Sequence, residues 1–88
     1  MRIRREHALG AEELRRRIDH LAEDICGRFQ LRSEWRGDDL AFSGNGVNGA
    51  IRVREHVVEV NASLGFALKL MEPAIRSAVE DAMDRHLA

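Results

Sequence analysis

Between residues 31 and 64 the chain alternates apolar and polar positions in four short runs, 31–36, 39–44, 47–54 and 57–64. They are parted by Gly37-Asp38, Asn45-Gly46 and Glu55-His56. A period of two predicts strands whose successive side chains point to opposite faces. Asn-Gly is the strongest two-residue hairpin signal, because both positions tolerate positive φ. Gly37-Asp38 suits a similar turn, and Glu55-His56 is inferred from its flanks. Two-residue loops set the register, so Arg36 faces Asp39, Gly44 faces Val47 and Arg54 faces Val57. These three turns yield one apolar row, Trp35, Leu40, Ile51 and Val60. A second row is Ser33, Phe42, Gly49 and Ala62, in which the Phe42 ring leans over Gly49. The other face carries Arg36, Asp39, Arg52 and Glu59, alternating in sign and read as solvated. Cross-strand pairs of this kind stabilise by about 0.2–1 kcal/mol each. A slip of one residue would drive the charges into the apolar row.

The flanks change period. Residues 2–7 form a short strand with Ile3 among Arg2, Arg4 and Arg5, charges that suit a sheet edge; it is expected to pair antiparallel with 57–64. After Leu9-Gly10, Leu14, Ile18, Leu21 and Ile25 recur at helical spacing, predicting a helix over 11–28 that Gly27 helps to end. Glu12–Arg16, Glu13–Arg17 and Asp24–Arg28 are favourable pairs four apart, acid first. Glu72-Pro73 opens a last helix with Ile75, Val79 and Met83 on one stripe, extended by Leu87. The fold class is therefore α+β, a two-layer sandwich in the order β-α-β-β-β-β-α. An antiparallel four-stranded meander and an N-terminal edge strand carry two helices on one face, the face of Trp35.

One segment does not fit this division of labour. Residues 64–71, Leu-Gly-Phe-Ala-Leu-Lys-Leu-Met, are almost wholly apolar and exceed what a core already covered by two helices requires. Phe66, Leu68 and Leu70 are the candidate apolar contact surface. The competing uses of this segment are closing the end of the core and forming a homodimer interface.

Composition narrows the rest. Eighty-eight residues make one domain. A net charge of −1 counts against bulk electrostatic binding of nucleic acid, even though six arginines fall in the first seventeen residues. Cys26 is the only cysteine, so no internal disulfide forms; it is expected to be a buried thiol. No apolar run reaches the ~20 residues of a membrane span, and residues 1–5 lack the apolar region of a secretion signal, so the expected location is cytoplasmic. His7, His20, His56 and His86 are read as surface residues without a spaced partner. The register points Ser33 into the core and Ser43 and Ser63 outward, with no histidine near any of them. No catalytic, cofactor-binding or metal-ligating residue is assigned, and the chain is expected not to be an enzyme.

Taken in order, His7-Ala8-Leu9-Gly10, Trp35 with Gly37-Asp38 and Leu40, Phe42-Ser43, Gly46-Val47, Gly49, Val58, Val60, Leu64-Gly65-Phe66, Leu68 and Leu70 resemble a known pattern. The chain is similar to the polyhydroxyalkanoic acid system protein family, also described by its polyhydroxyalkanoate granule-associated region. The likeness spans essentially the whole chain; Glu72-Pro73 departs from it only at a helix boundary. It implies a small bacterial accessory protein of storage-polyester metabolism, placed at or near granules or bound to a granule-associated protein, with no catalytic residues to carry over. The alternatives are a small hydrolase-like enzyme on hydroxyacyl thioester or polyester, and an arginine-mediated nucleic-acid-binding module.

Overall fold

In the computed structural model, which describes residues 1–87, the sheet has five strands. They are β1 (Arg2–Glu6), β2 (Arg32–Arg36), β3 (Asp39–Gly44), β4 (Val47–Val53) and β5 (Val57–Leu64). Their spatial order is β1-β5-β4-β3-β2, antiparallel throughout. The helices are α1 (Ala11–Phe29), a single turn α2 (Phe66–Lys69), and α3 (Glu72–Leu87). The α+β sandwich and its element order stand as read, with α2 as an addition.

The register follows the turns. Trp35 pairs with Leu40, Leu40 with Ile51, Ile51 with Val60, and β1 extends the row with Ile3. Asn45 and Gly46 both take positive φ, 48° and 84°, as the tight hairpin demands. The third turn closes through Arg54 N–H donating to the Val57 carbonyl at 2.9 Å. At Gly49 the sheet is so close that a Cβ would lie 2.0 Å from the Asn61 carbonyl oxygen and 2.8 Å from Phe42 Cζ. Glycine is required there because backbone as well as the Phe42 ring occupies the space.

Polar groups on the open face are in the expected row, with Arg4 of β1 as its fifth member. Their closest ion pairs are nevertheless with neighbours off the row: Arg54 with Asp39 at 2.8 Å and Arg2 with Glu59 at 3.2 Å. Long side chains reach diagonally across a twisted sheet, so facing Cα positions do not decide which charges meet. The Asn61 amide, burial and Arg2 all act on Glu59, whose carboxyl lies below its ordinary value because the Asn61 hydrogen bond and the Arg2 charge outweigh desolvation.

Helices α1 and α3 lie side by side on the apolar face, running in opposite senses. Ile25 and Phe29 meet Ile75 and Val79 at one end, while Arg17 donates to the His86 carbonyl at the other. Toward β2, α1 holds Trp35: Asp19 accepts its indole N–H at 2.7 Å and Arg15 stacks on its ring at 3.9 Å. Toward β1, α3 supplies Asp84 to Arg5 and Arg76 to the free Arg2 carbonyl on the sheet edge. Asp24 ties the two helices together. It accepts from Arg28 on its own helix and from Arg85 and His86 on α3, at 2.9, 2.8 and 3.0 Å. Arg85 first, then His86 and Arg28, hold its carboxyl well below the ordinary carboxylate range.

Several local readings are corrected. Gly27 lies inside α1; the helix stops at Gln30, which adopts the left-handed conformation while Leu31 N–H reaches back to the Cys26 carbonyl. Asn45 donates its amide to the Phe29 and Gln30 carbonyls, so the hairpin tip satisfies the helix end. Arg16 pairs with Glu13 and not Glu12, whereas Glu13–Arg17 and Asp24–Arg28 form as expected. Ser33 shares the inner face with Phe42 but is exposed, because β2 is an edge strand that α1 covers only in part. Cys26 is half-buried; burial raises its thiol above the ordinary value, partly offset by a hydrogen bond with Ser33. His7 and His86 are partly buried and bonded, not free surface groups. His7 Nδ1 accepts from Leu9 N–H at 3.1 Å, which leaves Nε2–H to donate to the Arg54 carbonyl at 3.0 Å.

Two outcomes follow. Gly49→Ala is expected to lower stability by about 3 kcal/mol in urea denaturation. Adding Phe42→Leu should restore little of it, because the nearer obstacle is the Asn61 carbonyl. Asp24 has a depressed carboxyl in the folded state, so its contribution is present above the ordinary 3.8 and is lost as pH falls below that value. Asp24→Asn should therefore cost about 1 kcal/mol at neutral pH. It should also flatten the acid limb of a stability–pH profile measured by denaturant melts.

Candidate functional site

The apolar segment after β5 is arranged by two contacts to the β3–β4 hairpin tip. Leu64 is buried at the end of β5, and Gly65 N–H donates to the Gly46 carbonyl at 2.7 Å. The chain then enters α2 from an extended Gly65 and makes a single turn, with Leu68 and Lys69 N–H both donating to the Gly65 carbonyl. Leu68 turns back, half-buried, onto the core beside the tip; a Cβ at Gly46 would lie 3.4 Å from its Cδ1. Leu70 keeps helical dihedrals, and Met71 accepts the first backbone bond of α3, from Ile75 N–H.

Helical geometry then decides which side chains face water. At about 100° per residue, Phe66 and Leu70 differ by only about 40°, whereas Leu68 is about 200° away from Phe66. With Leu68 fixed on the core, its neighbours must point outward. Phe66 is 90% exposed and Leu70 87%, and Met71 joins them at 54%. Of the three expected contact residues, Phe66 and Leu70 share a surface. Leu68 is the anchor beneath them, and Met71, part of the same apolar segment but not among the expected contact residues, joins the surface. The signal was present in the spacing of four between Phe66 and Leu70. Lys69 stands beside them, exposed, with no ion-pair partner among the described residues.

This knob carries no ionisable group besides Lys69, so its chemistry is that of an adhesive surface. Elsewhere, the histidines with bonds are engaged structurally: His7 links β1 to the last hairpin turn and His86 pairs with Asp24. His20 and His56 are exposed. Ser33 hydrogen-bonds with Cys26, and it lines a surface recess that His20 of α1 also lines. No described helix is long and apolar enough to cross a membrane.

The geometry separates two roles that stability measurements can tell apart. Phe66→Ser should leave the unfolding free energy within about 0.5 kcal/mol of the parent. Leu68→Ala, which removes the anchor, should cost about 1–2 kcal/mol. Comparable losses for the two variants in chemical denaturation would contradict this division.

The family described as "Putative polyhydroxyalkanoic acid system protein" covers residues 1–87. No curated protein and no solved structure matches the chain.

Proposed function

The chain belongs to the polyhydroxyalkanoic acid system protein family, and on that premise we propose that it is a non-enzymatic accessory protein that docks at the polyester granule through Phe66, Leu70 and Met71. The observation that carries this reading is the near-complete exposure of Phe66 and Leu70 on a turn whose other side is anchored to the core. Large apolar side chains presented together, with a cation at their edge, are a binding device rather than a packing residue left over. A storage polyester presents ester and alkyl groups to which such a knob can adsorb, either directly or through a protein that coats the granule. The site of action is then the granule surface inside a bacterial cell.

Magnitudes support a reversible attachment. Covering a Phe or Leu side chain completely contributes about 1.5–3 kcal/mol each. Two or three such residues, less the cost of immobilising the protein, give weak binding that many copies on one surface can strengthen. Phe66→Ser is expected to lower partitioning onto purified native granules about 30-fold, the equivalent of about 2 kcal/mol. Phe66→Ser/Leu70→Ser should remain in the supernatant. Equal partitioning of parent and double variant in a sedimentation assay would remove the knob from the mechanism.

A further inference from the structure

We propose that copies of this chain associate head to tail, with the knob of one copy seated in an apolar groove at the far end of the next. This goes beyond granule docking and does not rest on it. The groove is formed where the connection from β1 to α1 meets the Gly37-Asp38 and Glu55-His56 turns. Its floor is Leu9, Leu14, Trp35 and Val53. Three of these, Leu9, Trp35 and Val53, are only partly buried although they pack on the core.

Charge selects the occupant. The rim presents Glu12, Asp38 and Glu55, none of which is ion-paired with an arginine or lysine among the described residues. Arg54 is neutralised by Asp39, and Arg15 keeps its charge over the Trp35 ring, so three rim carboxylates face one cation that no carboxylate pairs among the described residues. The groove therefore calls for an apolar insert carrying a cation. The knob is such an insert: Phe66, Leu70 and Met71 flank Lys69, the only lysine in the chain.

Position makes the contact intermolecular. The groove lies at the start of β5 and the knob follows its end. Eight strand residues separate them by about 25 Å at ~3.3 Å per residue. No knob can reach its own groove. The two surfaces differ, so the interface is heterologous and propagates into an open chain or ring instead of closing as a two-fold dimer. The contact is small, which makes the assembly weak and concentration-dependent.

Sedimentation equilibrium of the full chain, without granules, tests this. The mean mass should rise with concentration beyond that of a dimer. Phe66→Ser/Leu70→Ser removes the knob; Leu9→Asp spoils the groove. Ala8→Arg obstructs the groove from an exposed position where the fold is not at stake. Each variant alone should lose association by at least about tenfold, as truncating central anchors does. Mixing the knob variant with either groove variant should give a one-to-one pair that grows no further, because one intact knob and one intact groove remain. Self-association of Ala8→Arg equal to that of the parent would overturn the proposal in favour of knob-to-knob contact. A parent that stays monomeric at all concentrations would overturn it outright. Granule partitioning is a separate readout: the groove variants keep their knobs free of a neighbour's groove, so they should sediment with granules at least as well as the parent, even where head-to-tail association fails.

Discussion

Everything in this molecule depends on one row of side chains that crosses all five strands: Ile3, Val60, Ile51, Leu40 and Trp35. The row exists only if three two-residue turns hold the strands in register, since a slip of one residue exchanges the faces. Above it α1 and α3 lie side by side, and the largest fully buried side chains come from every layer: Ile18 and Leu21 from α1, Met83 from α3, Ile51, Val58 and Val60 from the sheet. At the edge of the row, Trp35 cannot be fully covered. Its indole N–H and ring face are instead engaged by Asp19 and Arg15. The aromatic body packs while the polar edge remains accessible to a partner group.

Because two helices cover the middle of the sheet, the two ends of the strands are finished by other means. At one end the Asn45-Gly46 tip performs three tasks at once. Its asparagine satisfies the carbonyls at the end of α1, its glycine carbonyl receives Gly65 N–H, and its open backbone accepts Leu68. The same hairpin residues that set the register thus fix the angle at which the chain leaves β5. At the other end, the bonds of His7 to Leu9 and to the Arg54 carbonyl brace the β1–α1 connection against the last turn and leave a groove beside it. The residues that carry the family resemblance are spread over the sheet and both ends: Leu40, Phe42, Gly49, Val58 and Val60 within the strands, His7 to Gly10 with Trp35 and Asp38 at the groove, Gly46, Gly65, Phe66 and Leu68 at the knob.

Much of the charge on the surface is paired. Arginines of the N-terminal third are drawn into pairs: Arg2 with Glu59, Arg5 with Asp84, Arg16 and Arg17 with Glu13. Pairs at a surface add little stability, but they neutralise what would otherwise be a basic face. Asp24 is different, since it joins three cationic partners from two helices and so couples the helix layer to pH. The apolar knob and the charge-rimmed groove are therefore physically separate.

The sheet was legible in the residues because its rules are local. Asn45-Gly46 needs positive φ, alternation has a period of two, and pairing arithmetic then carries Trp35 to Val60 without knowledge of the rest. Helices α1 and α3 were legible for the same reason, through Ile18, Leu21, Ile25 and through Ile75, Val79, Met83. The surplus of apolar residues after Leu64 could also be read, because two helices already account for the core. Its division could not. Only the contact of Leu68 with the hairpin tip, made by chain some twenty residues away, turns Phe66 and Leu70 outward. Likewise Ser33 faces inward by register yet meets water, because coverage of an edge strand depends on where α1 lies. The groove has no counterpart in the sequence at all, since its walls come from three separate connections. Periodicity determines which face of an element is apolar; only packing in three dimensions decides which apolar positions remain uncovered, because exposure is a property of neighbours distant along the chain.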